Sequence, residues 1–235
     1  MARGMSKQEV SQRQADILYN LYENRVMTLE QFINVGYFKN ISTAKHYFIN
    51  LEKKGLIKSK FAIIDSSNYK PSKVLYLSSA GFMTLLDKGK KTGDTNLQAL
   101  KKYALASSEM QLRHDIHVVD IIIELVNSDR IDDYRTELFL RREMNRTKKH
   151  YRIPDFEFTD KAGKKFIVEL ELSQRTFKQL CKAMEDYKTY WKERGLIFVI
   201  NEAWINNYIK ALEHENIKHY EIYSLKDNKL QKIKA

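Results

Sequence analysis

Acidic and apolar side chains alternate through the segment RIPDFEFTDKAGKKFIVELELSQ, residues 152–174, on both sides of a turn that contains glycine. Alternation with a period of two indicates two half-buried strands, and the KAGK turn predicts that they pair as a hairpin. Four carboxylates then lie on one face of the sheet: Asp155, Glu157, Glu169 and Glu171. Like charges this close repel one another in a partly dry site unless a positive group lies among them. The pattern therefore predicts either a sheet face in contact with water or a site that holds a cation.

The chemistry of these side chains indicates which cation they would hold. Mg²⁺ and Mn²⁺ prefer oxygen ligands, and either ion would neutralise the gathered charges. We therefore predict a Mg²⁺ or Mn²⁺ site formed by Asp155, Glu169 and Glu171. Glu157 is either a further member of this group or a side chain in contact with water.

Positive charge is concentrated in the first half of the chain. The sequence carries 41 Lys and Arg against 30 Asp and Glu, a formal net charge of +11, and residues 1–105 hold 17 basic and 8 acidic side chains. Lys and Arg gain free energy when they release the counterions condensed on phosphates, so we expect a polyanion partner, and nucleic acid above others. The alternative is a chain that is basic without any such partner.

The first 87 residues show the order of a winged helix-turn-helix domain. Three segments have helical periodicity, SKQEVSQRQADILYNLYENR, TLEQFINVG and ISTAKHYFINLEKKG, and their predicted N-caps are Ser6, Thr28 and Ser42. The segments LIKSKFAIID and VLYLS follow as two strands joined by a basic loop, and a short helix starts at Ser79. Residues 1–87 are therefore predicted to form a winged helix-turn-helix domain.

In this geometry the third helix lies in the major groove of double-stranded DNA, and the two-stranded wing contacts phosphates. The predicted base-contacting residues of the third helix are Ser42, Thr43, Lys45 and His46. The predicted phosphate-contacting residues of the wing are Lys58, Lys60, Lys70 and Lys73. A winged helix that binds protein without contacting DNA is the alternative. By analogy with winged helices that bind two half-sites, a homodimer is a further expectation.

A second domain is predicted for residues 106–235, after a linker at 88–105 that has few apolar residues and is itself able to form a helix. The pattern of this domain predicts the order α-β-β-β-α-β-α-β, in which YRTELFLRRE is the first strand and the helix TFKQLCKAMEDYKTYWKER ends at Gly195. LIFVIN is apolar without alternation, which is typical of a strand buried on both faces. The chain is therefore predicted to be a two-domain α/β protein.

The PD pair at 154–155, followed by ELE at 169–171 in this order of elements, resembles the core of the PD-(D/E)xK nuclease superfamily over roughly residues 106–225. The predicted second domain is accordingly a restriction-endonuclease-like αβββαβ domain. The resemblance implies that Asp155 and Glu169 bind the metal.

One position departs from the superfamily pattern, which has lysine where this chain has Glu171. The resemblance then implies that a basic residue comes from elsewhere, and the following helix offers Lys178 and Lys182 one turn apart. The catalytic candidates are therefore Asp155, Glu169, Glu171, Lys178 and Lys182. Tyr187 and Tyr190 are either nucleophiles of a covalent route or residues packed between helix and sheet.

A winged helix followed by the PDF and ELELS segments is also similar to the replication-relaxation family of plasmid and mobile-element proteins, and to the C-class mobilisation relaxases, which carry E-x-E in place of D/E-x-K. This resemblance spans most of the chain. It implies a protein that binds a plasmid or mobile-element origin and nicks a strand with a metal ion. The alternative is a non-catalytic origin-binding initiator or transcription regulator with a degenerate nuclease-like domain.

The sequence also argues against several classes of protein. It has no glycine-rich phosphate loop, so ATP-driven work is not expected of it. No stretch approaches the roughly 20 apolar residues of a membrane span, and the first ten residues lack the apolar region of a secretory signal. Cys181 is the single cysteine and cannot form an internal disulfide. The expected location is the cytoplasm.

Overall fold

The computed structural model describes residues 10–64, 71–87, 108–147, 152–226 and 229–234. Within these ranges the chain forms eight α-helices and two β-sheets, which confirms a mixed α/β architecture. Its contacts divide it into two compact units, Met1–Val119 and Asp120–Ala235. The predicted linker at 88–105 lies outside the described residues, so the predicted domain boundaries stay predictions.

The helices and strands have the following bounds. The α-helices are α1 (Gln12–Glu23), α2 (Leu29–Asn34), α3 (Ile41–Lys53), α4 (Ser79–Asp87), α5 (Glu109–Asn127), α6 (Glu137–Thr147), α7 (Phe177–Tyr190) and α8 (Ile205–His214), with a 3₁₀ turn at Glu202–Trp204. The strands are β1 (Val26–Thr28), β2 (Ile57–Ile63), β3 (Pro71–Leu77), β4 (Asp133–Thr136), β5 (Phe156–Thr159), β6 (Lys165–Leu170), β7 (Gly195–Val199), β8 (Tyr220–Lys226) and β9 (Lys229–Lys234). The boundary between the two units lies within α5.

Reciprocal side-chain caps begin the first two helices. Thr28 accepts a hydrogen bond from the Gln31 N–H, and the Gln31 side chain accepts one from the Thr28 N–H. Ser11 and Gln14 form the same arrangement at the start of α1. Each pair satisfies two N–H groups that the first helical turn leaves without partners. The predicted cap Thr28 is confirmed, and the predicted cap Ser6 lies outside the described residues.

The start of α3 differs from the prediction. The side chain of Asn40 accepts a hydrogen bond of 2.9 Å from the Thr43 N–H, and the helix begins at Ile41. The prediction of Ser42 as the cap is therefore wrong. Asn and Ser are comparably good caps, and the competition between them is decided by the backbone, which is extended at Asn40. Ser42 is thereby an exposed residue within the first helical turn.

The sheet of the first unit has the antiparallel order β1-β3-β2. β2 and β3 are the two strands predicted for the ribbon, and residues 65–70 of the loop between them lie outside the described residues. The sequence pattern does not indicate β1, because its three residues are all buried and show no alternation. An apolar cluster packs this sheet against the start of α5, and its members are Val26, Ala62, Val74, Leu112 and Ile116.

The second unit is built on a six-stranded sheet of order β4-β5-β6-β7-β8-β9. β4, β5 and β6 are antiparallel, β6, β7 and β8 are parallel, and β9 is antiparallel to β8. α7 connects β6 to β7 and α8 connects β7 to β8, because parallel neighbours need crossover connections. The predicted hairpin β5-β6 is confirmed, and so is the buried strand β7, whose five residues are all buried.

The prediction of YRTELFLRRE as one strand is wrong. The strand β4 ends at Thr136, and the following residues form α6. Leu140 and Met144 are both buried and lie four apart, as the inward side of a helix requires. Arg141 also forms an ion pair with Glu137 across one helical turn. The unit therefore contains a helix between β4 and β5, and the additional strand β9, that the predicted order lacks.

Gly195 has a different role from the predicted one. α7 ends at Tyr190, and Gly195 is the first residue of β7. A Cβ at this position would lie 2.4 Å from the ring of Phe166 on β6. Glycine is therefore required by the close packing of two neighbouring strands rather than by the end of a helix.

The length and apolar content needed to cross a bilayer are not reached by any helix among the described residues.

Candidate functional site

The hairpin β5-β6 brings three of the predicted carboxylates together, and we call Asp155, Glu169 and Glu171 the acidic cluster. The antiparallel register of the hairpin, continued by one residue, places Asp155 beside Glu169. The Leu170 N–H donates a hydrogen bond of 2.7 Å to Oδ2 of Asp155, which fixes this carboxylate at the end of β6. Glu171 follows Glu169 by two residues and therefore lies on the same face.

Helices α7 and α8 cover this face of the sheet. The apolar cluster between the helices and the sheet includes Ile167, Leu180, Met184, Tyr187, Tyr208 and Leu212. Glu169 is 7% exposed and Glu171 is 6% exposed. Of the two alternatives for these glutamates, a face in contact with water is therefore wrong.

Two arginines supply positive charge at the acidic cluster. Arg152 forms an ion pair with Glu169, and its Nη2 lies 3.4 Å from Oε1 of Glu171. Arg175 forms an ion pair with Glu171, and its Nη2 lies 3.9 Å from Oε1 of Glu169. The cation that the carboxylate pattern requires is thus a pair of guanidinium groups in this structure.

Glu169 retains one oxygen without a partner. Its Oε1 accepts a hydrogen bond from Arg152, whereas its Oε2 is buried and has no hydrogen-bond partner among the residues that the structure describes. A buried polar atom left unpaired costs about 1–3 kcal/mol, and more when it is charged. Such an oxygen indicates a place for a proton or for a further cation.

Burial, together with the neighbouring Asp155 carboxylate, raises the pKa of Glu169 to about 8, although Arg152 opposes the shift. Burial also raises the pKa of Glu171, against the opposing effect of Arg175. Burial alone would lower the pKa of Arg152, but Glu169 and Tyr187 raise it, so the guanidinium stays charged. Near neutral pH Glu169 therefore carries a proton for much of the time.

Tyr187 contacts Arg152 and also Glu169 of the acidic cluster. The Nε of Arg152 donates a hydrogen bond of 2.6 Å to the Tyr187 hydroxyl oxygen. Burial and the Glu169 carboxylate raise the pKa of Tyr187 well above its ordinary value, so the hydroxyl stays neutral near pH 7. Tyr190, the other candidate nucleophile, is 46% exposed. This geometry favours packing and the positioning of Arg152 as the role of Tyr187.

Glu157 belongs to a separate group of ion pairs on the same sheet face. Arg135 of β4 pairs with its Oε1, and Arg194 pairs with its Oε2. Burial alone would raise the pKa of Glu157, but hydrogen bonds from the two arginines hold it below its ordinary value. Glu157 is buried and paired, so the alternative of a side chain in contact with water is wrong for it as well.

The candidate DNA-contacting residues of α3 lie on the side of the helix that faces solvent. The inward side consists of Ala44, Phe48 and Leu51, which are buried in the first unit. The exposed side carries Ser42, Thr43, Lys45 and His46. Residues three and four apart are neighbours on a helix, so these four side chains form one continuous surface.

The wing lysines do not share one surface. Lys58 is exposed and Lys60 is half-buried, and alternation along the paired strands places them on the face opposite to Lys73. Nζ of Lys73 forms an ion pair of 2.8 Å with Glu52 of α3. Lys70 lies outside the described residues. Lys58 is therefore the member of this set whose charge is most accessible among the described residues.

The exposed side of α3 and the acidic cluster both lie within one stretch of the chain that matches a known family. A family model described as replication-relaxation matches residues 18–199. The chain belongs to the replication-relaxation family. The matched residues include α3, the acidic cluster and both of its arginines, whereas α8 lies beyond them. Comparison with curated proteins and comparison with solved structures each found no match.

In this replication-relaxation protein the two lysines predicted to serve the acidic cluster are exposed residues of α7. Within the described ranges, no ion pair or hydrogen bond joins Lys178 or Lys182 to the three carboxylates. The basic residues that contact the cluster are Arg152 and Arg175. Arg175 lies four residues after Glu171 in the loop before α7, where this spacing does not by itself bring two side chains together. Arg152 pairs with Glu169, which is 17 residues away at the end of β6, so no local sequence pattern indicates this contact.

The acidic cluster offers the oxygen ligands that Mg²⁺ or Mn²⁺ prefers, and the buried Oε2 of Glu169 is one of them. Its oxygens are not gathered as a set of ligands. Across the described part of the chain, three ligand atoms within 4.8 Å of one another occur between α7 and the end of α8 and not at this cluster. A divalent cation at the cluster therefore requires Arg152 and Arg175 to move away from the glutamates.

Proposed function

We propose that this replication-relaxation protein binds double-stranded DNA of a plasmid or mobile element and acts in its replication or mobilisation. The family match supports the replication or mobilisation role. The helices and antiparallel ribbon of the first unit support a winged helix-turn-helix, with α3 as the helix that enters the major groove. The basic excess of residues 1–105 supports a polyanionic partner.

We further propose that the acidic cluster is a Mg²⁺ or Mn²⁺ site at which the protein nicks DNA. The observation that carries this proposal is Oε2 of Glu169, which is buried beside two further carboxylates and lacks a hydrogen-bond partner among the described residues. A divalent cation bound there would offset the charge that develops on the phosphate during phosphodiester cleavage. The raised pKa of Glu169 supports the same view, because burial and the neighbouring Asp155 carboxylate make an ionised Glu169 costly, and a bound cation would offset that cost.

Arg152 and Arg175 take, in this proposal, the part that the nuclease superfamily gives to lysine at the position of Glu171. A guanidinium group matches a phosphate with two parallel hydrogen bonds, which an ammonium group does not. When a cation replaces the arginines beside the carboxylates, the arginines become available to bind a DNA phosphate. Each charged group then exchanges one partner for another, so none is left buried and unpaired.

A second candidate function is that of a non-catalytic DNA-binding protein. The observation that favours it is the pair of ion pairs from Arg152 and Arg175, which compensate much of the charge of the glutamates without any metal. In this case the acidic cluster is part of the folded core of the second unit and binds no divalent cation. The two candidates therefore differ in whether Mn²⁺ binds at Glu169.

The deciding experiment measures the nicking of supercoiled plasmid DNA in Mn²⁺ by the wild type, Asp155→Asn and Glu169→Gln. We expect each substitution to lower the nicking rate by about 100-fold or more, because the loss of a metal ligand removes several kcal/mol of transition-state stabilisation. Glu185→Gln is the matched control, since Glu185 is an exposed acid of α7 and should leave the rate unchanged.

Three results separate the candidates. Equal nicking by all four proteins identifies a contaminating nuclease and removes the enzymatic proposal. Tight Mn²⁺ binding by calorimetry that is lost in Glu169→Gln supports the metal site independently of activity. The absence of both nicking and Glu169-dependent Mn²⁺ binding favours the non-catalytic candidate.

DNA binding is tested by the salt dependence of affinity for double-stranded DNA. Lys45→Ala is expected to lower the slope of log affinity against log salt by about 1, because the loss of this positive charge reduces the number of neutralised phosphates by one. Lys73→Ala should have a smaller effect, since Lys73 is engaged by Glu52. Lys210→Ala, at an exposed position of α8, is the control. Equal slopes for all three variants would contradict the role of α3.

A further inference from the structure

A second group of metal-ligating side chains lies outside the acidic cluster, between α7 and the end of α8. Cys181 belongs to α7, His214 is the last residue of α8, and Glu215 follows it. Their ligand atoms, one sulfur, one imidazole nitrogen and one carboxylate oxygen, all lie within 4.8 Å of one another. No acidic residue predicted from the sequence for metal binding belongs to this group.

The packing of the two helices accounts for this arrangement. Tyr187 of α7 and Tyr208 and Leu212 of α8 belong to one buried core, which brings the two helices side by side. The ring of Phe177 lies edge-on to the imidazole of His214, with 5.9 Å between the ring centroids. Nδ1 of His214 lies 2.9 Å from Oε1 of Glu215. The imidazole is therefore held beside the carboxylate, and the thiol of the neighbouring helix faces both.

The ligand types select the metal. Thiolate and imidazole are the ligands that Zn²⁺ prefers, and they are poor ligands for Mg²⁺ or Ca²⁺. Zinc bonds of about 2.0–2.3 Å place tetrahedral ligand atoms roughly 3.3–3.8 Å apart. Here the ligand atoms lie within 4.8 Å of one another, and His214 and Glu215 have one pair of atoms at 2.9 Å, so the spacings must adjust by about 1 Å or less. The His214 side chain is 62% exposed and can adjust by rotation. Binding thus needs side-chain adjustment without a change in the helices.

We propose that Cys181, His214 and Glu215 form a Zn²⁺ site that links α7 to the end of α8, with water as the fourth ligand. The site is accessible to metal, since His214 is exposed and the other two residues are half-buried. It joins the two helices that cover the acidic cluster, so Zn²⁺ would stabilise that cover. The inference is independent of the nicking activity, because it uses none of the residues of the acidic cluster.

Proton release accompanies binding at such a site. A cysteine thiol is ordinarily protonated near neutral pH in the absence of metal. Zn²⁺ binds the thiolate and must displace this proton. Affinity for Zn²⁺ should therefore increase with pH over the range in which the thiol is still protonated.

Cobalt replaces zinc as a spectroscopic probe in the test. The full chain, without any histidine tag, is titrated with Co²⁺. We expect a near-ultraviolet thiolate-to-cobalt charge-transfer band, which Zn²⁺ then removes. The band should be lost in Cys181→Ser, and affinity should fall by about tenfold or more in His214→Ala. His219→Ala, at another exposed histidine, is the matched control and should keep the band.

Two further measurements make the outcome decisive. Zn²⁺ should raise the melting temperature of the wild type and leave that of Cys181→Ser unchanged. Glu169→Gln should retain the cobalt band, which separates this site from the acidic cluster whatever the activity assay shows. A wild-type protein that gives no thiolate band, or a band that survives in Cys181→Ser, would overturn the proposal.

Discussion

Glu157 and Glu169 are two buried glutamates on the same face of one sheet, and their pKa values are shifted in opposite directions. Glu157 is 2% exposed and Glu169 is 7% exposed, so solvent accessibility does not distinguish them, although Glu169 lies deeper in the protein. Despite this, Arg135 and Arg194 hold the pKa of Glu157 below its ordinary value, whereas burial and Asp155 raise the pKa of Glu169 to about 8.

The difference lies in what surrounds each carboxylate. Glu157 has an arginine on each oxygen and therefore behaves as one side of a complete ion-pair group. Glu169 has an arginine on one oxygen, no partner on the other among the described residues, and another carboxylate beside it. Two buried acids of similar accessibility thus differ in their charge compensation. The charge of Glu157 is balanced by its protein neighbours, whereas Glu169 needs a proton or a further cation.

The largest expected effect is on Glu157. Glu157→Gln removes the charge that pairs with Arg135 and Arg194, and we expect the free energy of unfolding to fall by about 2–3 kcal/mol, measured by urea denaturation at pH 7. Glu143→Gln is the control, because Glu143 pairs with the same Arg135 but is 61% exposed. It should change stability by less than about 0.5 kcal/mol. Equal losses for the two variants would remove the distinction on which the comparison rests.

The second effect is a pH dependence at Glu169. Its folded pKa of about 8 lies above the ordinary value of 4.5, so the folded state binds the proton more tightly than the unfolded state does. The stabilisation from this proton is complete below about pH 4.5 and is lost as pH rises through 8. Glu169→Gln does not titrate. From pH 6 to pH 8 the wild type should therefore lose about 2 kcal/mol more of its free energy of unfolding than Glu169→Gln does.

This prediction is measured by urea denaturation of both proteins at pH 6, 7 and 8. Other titrating groups are common to the two proteins and cancel in the difference. Glu185→Gln, at an exposed acid of α7, should follow the wild type at every pH. If the free energy of unfolding changed equally with pH in the wild type and in Glu169→Gln, Glu169 would already be ionised at pH 6, like Glu157.

The smallest effect concerns the hydroxyl that positions Arg152. Tyr187→Phe leaves Nε of Arg152 without its acceptor at 2.6 Å, and we expect a loss of about 1 kcal/mol in the free energy of unfolding. Tyr190→Phe, at a tyrosine 46% exposed on the same helix, should lose less than half as much. A loss no larger in Tyr187→Phe than in Tyr190→Phe would mean that this hydrogen bond does not hold Arg152 beside Glu169.

Regular patterns predicted most of the fold in the described residues. The hairpin β5-β6, the buried strand β7 and the helix α7 follow from period-two alternation, an unbroken apolar run and helical periodicity. α6 could not be predicted, because Leu138 and Leu140 fit a period of two as well as Leu140 and Met144 fit a helix. In an eleven-residue segment these periods compete, and burial of the helical set decides between them.

The acidic residues of the candidate site could be predicted from the sequence, whereas its basic residues could not. Asp155, Glu169 and Glu171 share a face because alternation is a local property of a strand. Lysines of α7 appear as well placed as arginines when the sequence is considered alone. The two arginines that contact the glutamates come from the segment before β5 and the loop before α7, so their approach depends on the paths of those connections.

The amino-acid sequence by itself determined that the acids would lie on one sheet face, where they would need either water or a positive charge. Only the tertiary structure decided which charge meets which acid, and hence that Glu157 is satisfied while Glu169 is not. The physical reason is that local patterns set the direction of a side chain, whereas ionisation depends on through-space distances to other charges and on the exclusion of water. Both are properties of the packed chain.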